Sequence, residues 1–445
     1  MAPAPQNPAM TFVTIRLRAA GVALLCALTG VRAFAQADAP TPASTWRFNG
    51  FGTLAAVDVF PRDGWGFRRE VTQPERHDTG TDVATDSRLG LQADWRPDAA
   101  WELVGQLVLK PRGHQASAEE SVAWAFAAWR PSPDWTIRAG RTSPDLFLLA
   151  DARNVGFAYP WMRPSVEFYG PMPLSTVDGL DATREWQVGD SRWRAKVFAG
   201  RSHFTLASAH DDGDEQGTTD PLMGATLTAD SGGLTFKATF AQARTRADNA
   251  QSIEQLHAGL DSLAVLPIPV IAAQAAALRD SFPAGALITR YSALALAWNA
   301  DPWQLQAELS RTTGNFIASQ DWYGYASAAW RVGSVTPFAM LGRARSSRAP
   351  LASPNWTQAL TPILGPQNAA LAQYAGADIA GTFDIGREDQ RSISLGARWD
   401  VAAQAALKLQ VDAIRSAPYG GGLWAFDTLS AHHAVVVSAG MDFVF

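Results

Sequence analysis

Segments in which polar and apolar residues alternate recur along most of this chain. Between residues 86 and 96, for example, Arg88 and Gln92 alternate with Leu89 and Leu91. The same two-residue period is found at 101–110, 192–197 and 303–309. This period is typical of extended strands that have one polar face and one apolar face.

The connections between these segments alternate between short and long. The short turns are rich in Pro, Gly, Asp, Asn and Ser and lie at 96–100, 131–134, 189–191, 230–232, 299–302, 333–334 and 400–404. The long connections lie near 61–82, 111–120, 143–178, 202–222, 245–287, 312–321, 344–389 and 416–430. Globular folds rarely contain so many long loops, whereas membrane barrels have short turns at one end and long loops at the other. The chain is therefore predicted to be an all-β protein, a transmembrane antiparallel β-barrel of about sixteen strands of about ten residues each.

Tryptophan positions support this prediction. Of the 17 tryptophans, ten flank the short turns: Trp95, Trp101, Trp129, Trp135, Trp186, Trp193, Trp298, Trp303, Trp330 and Trp399. Aromatic rings at one end of each hairpin are typical of the girdle that a barrel places at the membrane interface. Aromatic residues of an ordinary core would instead lie in the middle of the strands.

The last residues of the chain continue the alternation. Met441, Phe443 and Phe445 lie on one face of the predicted final strand, and Asp442 and Val444 lie on the other. This ending resembles the terminal signature of Gram-negative outer-membrane proteins, in which the final Phe belongs to the assembly signal. The resemblance implies that Phe445 ends the closing strand and binds the barrel-assembly machinery.

The amino terminus has the layout of a secretory signal peptide. Arg16 and Arg18 precede an apolar run over 19–31, and small residues around Ala35 offer a cleavage site. A start at Met10 would give a shorter signal. The expected organisation is a signal peptide at 1–35, a short periplasmic segment at 36–45 and a transmembrane barrel at 46–445.

Composition narrows the possible partners and cofactors. The only cysteine, Cys26, lies in the expected signal peptide, so the exported protein has no disulfide and no cysteine metal site. The formal net charge of -5 disfavours nucleic-acid binding. No cofactor and no metal are expected.

The cations follow the polar faces of the predicted strands. These cations include Lys110, Lys196, Lys237, Lys408, Arg88 and Arg138. In a barrel this face lines the lumen, because a cation facing lipid near the bilayer centre costs about 2–4 kcal/mol. Such a wall would attract anions. Alternatively, these cations pair with acids on the same face and maintain the barrel shape; the acids available are Asp86, Glu102, Asp412 and Asp442.

The third long connection, 143–178, is the most informative loop. It carries five prolines, several aromatic residues and charges of both signs. It contains NVGFA at 154–158, PWMRP at 160–164 and EFYG at 167–170, and it follows Gly140 and Arg141 at a strand end. These elements, with FNGFGT at 48–53, resemble a proteobacterial porin-like family of sixteen-stranded barrels. The resemblance implies a homotrimer in which the third long loop folds into the lumen.

A loop of this kind would constrict the lumen, since its prolines reduce the entropy lost on ordering and its charges would face charges on the wall. The candidate constriction residues on the loop are Asp151, Arg153, Arg163 and Glu167, and those on the wall are Arg88, Lys110 and Arg138. The candidates for stacking against ring-shaped solutes are Tyr159, Trp161 and Tyr169. The alternative is a structural plug whose charges pair internally.

The expected function is passive diffusion of small hydrophilic solutes or ions through a water-filled pore in the outer membrane. The expected surroundings are outer-membrane lipid and lipopolysaccharide. Catalysis is not expected. Two alternatives remain open: a barrel enzyme acting on lipids through a serine paired with His432 or His433, and a barrel for uptake of a specific solute.

Overall fold

The computed structural model describes residues 45–62, 66–74, 80–207, 214–247, 250–281, 285–315, 320–350, 356–385, 387–425 and 430–445. The expected signal peptide at 1–35 and all but the last residue of the expected periplasmic segment at 36–45 lie outside the described residues. The strands, helices and contacts are those of the described part of the chain.

Sixteen antiparallel strands form a closed barrel in which neighbours in sequence pair and the first strand pairs with the last. The strands are β1 (Thr45–Phe60), β2 (Arg88–Arg96), β3 (Trp101–Leu109), β4 (Val122–Ser132), β5 (Trp135–Thr142), β6 (Val177–Val188), β7 (Ser191–Leu206), β8 (Glu215–Ser231), β9 (Leu234–Ala247), β10 (Leu287–Ala300), β11 (Trp303–Gly314), β12 (Asp321–Trp330), β13 (Val335–Ser346), β14 (Glu388–Ala402), β15 (Ala405–Gly421) and β16 (His432–Val444). The predicted sixteen-stranded antiparallel barrel is confirmed. The strands differ from the predicted length of about ten residues, since they range from 8 to 17 residues.

The two faces of the strands have opposite chemistry. Leu294, Leu395 and Leu409 point outward and are exposed, whereas Lys237 and Lys408 point inward and are buried. A water-soluble protein has the reverse distribution, because apolar side chains gain free energy by leaving water. An apolar outer face with a polar interior is typical of a membrane barrel.

The end of the chain closes the barrel. The Phe445 N–H donates to the carbonyl oxygen of Gly50 at 3.0 Å, and the Gly50 N–H donates back at 2.8 Å. The rings of Phe443 and Phe445 stack with centroids 6.3 Å apart. A Cβ on Gly50 would collide with the Phe445 ring, so this contact requires glycine. The expected closing strand is confirmed; binding of the assembly machinery stays a prediction.

Tryptophans from neighbouring strands stack at the short-turn end of the barrel. The stacked pairs include Trp101 with Trp129 at 6.2 Å, Trp186 with Trp193 at 6.4 Å and Trp303 with Trp330 at 5.8 Å between ring centroids. Most of these rings are exposed. The predicted cluster of aromatic residues at one end of the hairpins is therefore present.

Several long connections contain helices. These are α1 (Val166–Tyr169), α2 (Ala250–Ala264), α3 (Pro269–Ser281) and α4 (Thr357–Ile385), with 3-10 turns at Ala118–Ser121 and Gly156–Ala158. Helix α4 is kinked at Gly365, whose φ of 76° lies in the left-handed region. A two-stranded ribbon joins Gly66–Phe67 to Trp424–Ala425. Of the helices in the described residues, none is long and apolar enough to cross a membrane.

Candidate functional site

The connection between β5 and β6, residues 143–176, contacts inward-facing side chains of the far wall, and Lys408 on β15 makes the densest of these contacts. Its ammonium group donates at 2.7 Å to each of three loop carbonyl oxygens, those of Gly156, Tyr159 and Trp161. It also pairs with Asp442 on β16 at 2.7 Å. A Cβ on Gly156 would collide with a carboxylate oxygen of Asp442, so the loop can approach the wall here only through glycine.

Arg163 joins the loop to β15, to β16 and to the first long connection. Its guanidinium lies 3.4 Å from the Asp86 carboxylate and 3.3 Å from the Asp412 carboxylate on β15. It donates to the Ser438 hydroxyl at 3.1 Å and lies over the Phe67 ring at 4.8 Å. Two carboxylates compensate the charge of this fully buried guanidinium, and its hydrogen bonds to Asp412 and Ser438 fix this part of the loop, although its Nε makes no hydrogen bond within the described part of the chain.

Glu167 is the second residue of helix α1, and within the described residues its carboxylate forms no ion pair. Its carboxylate accepts a hydrogen bond from the Ser165 hydroxyl at 3.0 Å and one from the Gln390 amide at 2.8 Å. Both partners are buried, as is Glu167 itself. These bonds join α1 to β14.

Glu308 on β11 is hydrogen-bonded to Tyr169, the last residue of α1. It accepts hydrogen bonds from the Tyr169 hydroxyl, from the Tyr325 hydroxyl at 2.8 Å and from the Leu148 N–H at 2.9 Å. One wall carboxylate thus binds two separate parts of the loop.

Aromatic rings fill the space between these polar contacts. Tyr159 and Trp161 stack at 5.7 Å, and Trp161 meets the edge of Tyr325 at 6.0 Å. The exposed fractions are 2% for Tyr159, 1% for Trp161 and 6% for Tyr169. These rings are covered by protein and act as the core of the loop.

The start of the loop is bound by two wall lysines. Asp145 pairs with Lys237 on β9 and lies 3.7 Å from the Lys196 ammonium on β7. Burial alone would raise the pKa of the Asp145 carboxyl, but the two lysines together lower it to about 2. The carboxylate therefore stays charged at any ordinary pH.

The first long connection packs on the same loop. Glu70 pairs with Lys110, and it lies 3.6 Å from the Arg153 guanidinium. Although burial raises the pKa of Glu70, Lys110 and Arg153 hold it well below its usual range. The Val71 N–H also donates to the carbonyl oxygen of Gly170 at 3.0 Å. Two connections thus stabilise each other.

The opposite wall, formed by β4–β7, is much less covered. Arg138 on β5 binds the Asp181 carboxylate at 2.9 and 3.0 Å and stays partly exposed. Arg194 on β7 is exposed, and so is Asp151 on the loop. Charged groups meet water on this side.

Comparison with known proteins gives a fold. No protein-family model matches the chain, and no curated protein matches it. Among solved structures, the outer membrane channel DcaP of Acinetobacter baumannii aligns over 90% of this chain and 97% of its own, with 11% identity and a TM-score of 0.50. An anion-selective porin from Comamonas acidovorans aligns over 90% of this chain and 100% of its own, with 12% identity and a TM-score of 0.50.

The chain has the fold of the outer-membrane porins. At this level the resemblance inferred from the loop and strand motifs is confirmed. Because the identities are so low, the comparison shows only the porin fold and does not identify the solute.

The predicted constriction residues fall into two groups within this porin fold. Arg153, Arg163, Glu167 and Lys110 lie in packed contacts of the loop, and so does Arg88, which donates to the Asn154 carbonyl oxygen at 2.6 Å and to the Tyr159 hydroxyl at 2.7 Å. Asp151 and Arg138 lie at the less covered wall. The predicted stacking residues Tyr159, Trp161 and Tyr169 are enclosed, and a stacking role stays a prediction.

The two histidines of the enzyme alternative lie on opposite faces of β16. His432 points inward, where its ring meets the Trp424 ring edge to face at 4.8 Å. His433 is exposed on the outside. Strand alternation therefore separates them.

Several residues whose contacts hold the loop in place were not among the predicted site residues. These are Lys408, Asp442, Gln390, Glu308, Asp145 and Glu70. Polar strand parity places Lys408 and Asp442 in the lumen, and pairing among lumenal charges is one of the two interpretations that the sequence leaves open. The same parity places Glu308 in the lumen, but none of the bonds to the loop has a signal in the sequence, because each joins residues far apart in the chain.

Proposed function

We propose that this protein is an outer-membrane porin that allows passive diffusion of small hydrophilic solutes or ions, and that loop 143–176 constricts its pore. One observation carries the proposal. Most of the loop is bound to β11–β16 through buried polar contacts, whereas β7 binds only its start, where Lys196 meets Asp145. The facing wall of β4–β7 keeps charged groups such as Arg138 and Arg194 accessible to water. The aqueous path then runs between the loop and β4–β7.

Charges on the two sides of this path would sort ions. Asp151 lies on the loop side, and Arg138 and Arg194 lie on the wall side. Opposite charges across a narrow passage produce a transverse field that acts on each passing ion. Arg153, Arg163 and Glu167 act one step removed, by holding the loop in place.

Channel recordings test the pore itself. Purified full-length protein, shown to be folded by its heat-modifiable migration on gels, is added to a planar lipid bilayer. Stepwise increases in conductance are expected. If folded protein leaves the bilayer silent across a range of voltages and salt concentrations, the porin proposal is wrong.

The path is tested by changing its charges. Neutralising Asp151 with Asp151→Asn removes a negative charge from the loop side, so the reversal potential in a salt gradient should shift toward anion preference. Asp190→Asn, an exposed change in a short turn, is the matched control and should leave the reversal potential unchanged. Equal shifts in both variants would exclude the proposed path.

The remaining expectations belong to the same proposal. Export would remove residues 1–35, so the mass of the mature protein should correspond to a chain that begins at Gln36. The channel would assemble as a homotrimer, which unheated gels and conductance steps in groups of three would reveal. Insertion would use the barrel-assembly machinery, recognised through Phe445. No cofactor and no catalytic residue enters the proposal.

A further inference from the structure

A row of basic residues crosses four neighbouring strands on the outer face of the barrel, near the long-loop end. Arg343 on β13 lies directly opposite Arg391 on β14, Arg391 lies opposite Arg415 on β15, and Arg415 lies opposite His433 on β16. All four side chains point outward and are exposed. We call these four residues the rim row.

The three arginines of the rim row place like charges next to each other. Like charges directly opposite on adjacent strands destabilise a sheet. Asp389 pairs with Arg343 at 2.5 Å, but within the described part of the chain no carboxylate pairs with Arg391 or Arg415. Guanidinium groups stay charged at any ordinary pH. This arrangement therefore favours an anion from outside the chain.

On the opposite side of the barrel, the outward arginines near the long-loop end lie beside carboxylates of the chain. On β5, Arg141 pairs with Asp178 at 2.7 Å and also with Glu119. Arg201 lies opposite the same Asp178. The two carboxylates of this cluster balance its two arginines, so adjacent arginines at the barrel end are not everywhere left without compensating acids.

An apolar surface lies directly beneath the rim row. The next outward residues on the four strands are Leu341, Ile393, Ala413 and Val435, and they too lie opposite one another. A free anion would use only the cations. A molecule with an anionic head and a hydrocarbon tail would use both surfaces, since the tail would cover exposed Leu341, Ile393 and Val435.

The height of the rim row fits a lipid head group. Arg391 lies eight positions before Trp399 at the short-turn end, which is about 26 Å along the strand at about 3.3 Å per residue. With a strand tilt of about 40°, this is about 20 Å of depth, compared with about 25 Å for the apolar band of a barrel. An arginine at that depth lies near the interface, where a charge costs far less than at the bilayer centre.

We propose that the rim row binds the phosphate of a lipid whose head group carries a net negative charge, with the lipid's acyl chains on the apolar surface below. Arg391 and Arg415 supply planar forks of donors that match phosphate oxygens. The inference rests on the membrane location in the proposed function and does not depend on conduction.

Native mass spectrometry of the full chain in neutral detergent tests this site. The probes are phosphatidic acid, phosphatidylcholine and inorganic phosphate. Wild-type protein should retain phosphatidic acid in preference to phosphatidylcholine, and inorganic phosphate should not compete at equal concentration. The double variant Arg391→Gln with Arg415→Gln should bind phosphatidic acid about tenfold more weakly, because charge-assisted hydrogen bonds are lost.

The double variant Arg141→Gln with Arg201→Gln is the matched control. It removes two cations at the same end of the barrel, but from a neutralised cluster, and should bind phosphatidic acid as the wild type does. Equal weakening in both double variants, equal binding of the two lipids, or full competition by inorganic phosphate would each overturn the proposal. Gel migration shows whether each variant is folded, and bilayer recordings on the same samples separate a failure of the pore from a failure of this site.

Discussion

The two sides of the barrel interior have the same alternating sequence pattern, but their inward polar residues have different roles. On β11–β16, inward polar residues such as Lys408, Glu308 and Gln390 are buried under loop 143–176 and bind its backbone and side chains. On β4–β7, inward residues such as Arg138 and Arg194 alternate in the same way but keep contact with water. Strand alternation places polar groups in the lumen. Those that the loop covers hold the loop in place, and those that it leaves uncovered face water.

This difference separates stability from selectivity. A buried ion pair costs much to break, because the remaining charge is left without water or partner. An exposed charge costs little to remove, yet it acts on ions over several ångströms of aqueous path. Substitutions on the loop-bound wall should therefore change folding and loop position, and those on the open wall should change ion preference.

The largest effect is expected for Lys408→Met. The change leaves the Asp442 charge buried without its cation and removes the donor to three loop carbonyl oxygens. We expect a loss of about 3–5 kcal/mol in the free energy of unfolding, measured by denaturant titration of the detergent-solubilised barrel. Single channels should also show larger, fluctuating conductance as the loop loses its attachment.

Combining Lys408→Met with Asp442→Asn removes the orphaned charge and should recover part of the stability but not the steady conductance. A Lys408→Met protein as stable as the wild type, with unchanged single-channel conductance, would contradict the structural role assigned to this wall.

Much of the barrel that carries these two walls can be predicted from local sequence pattern. A two-residue period, turns of two lengths and tryptophans beside the short turns predict the barrel, and the polar parity of Lys408 and Lys237 places both in the lumen. Phe445 is expected to end the closing strand, and its backbone does pair with that of Gly50 on β1. Each of these features is set by neighbours in sequence or by the alternation of a strand.

The contacts that bind the loop depend on distant parts of the chain. Lys408 and Gly156 are brought together by the closure of the whole barrel, and no local pattern marks the pair. Helix α4 lies within the connection at 344–389, which the turn pattern predicts only as a loop. The burial of Arg163 and Glu167 cannot be predicted from the sequence either, because a charged loop residue has the same local sequence whether it faces water or packs against protein.

A smaller, pH-dependent effect is expected where the loop begins. Asp145 is bound by Lys237 and Lys196, and its pKa is lowered to about 2 from an ordinary value near 3.8. A lowered pKa in the folded state stabilises the fold above the unfolded-state pKa, and this contribution is lost as the pH falls through the folded-state value. Conductance should therefore be steady from pH 7 to about 4 and become unsteady only as the pH approaches 2.

Asp145→Asn should show this unsteady conductance already at pH 7, because it removes the charge that the lysines bind. If the variant is steady at pH 7, or if the wild type changes between pH 7 and 5, Asp145 is not the titrating contact.

The smallest effect on stability, and the sharpest test of the comparison, is expected for Arg194→Gln on the open wall. Since Arg194 is exposed, the free energy of unfolding should change by no more than about 0.5 kcal/mol. The reversal potential in a salt gradient should nevertheless shift toward cation preference, opposite in sign to the shift expected for Asp151→Asn, because the two charges lie on opposite sides of the proposed path. A loss of stability comparable to that of Lys408→Met would mean that both walls are structural. Unchanged stability together with an unchanged reversal potential would mean that ions do not pass along β4–β7.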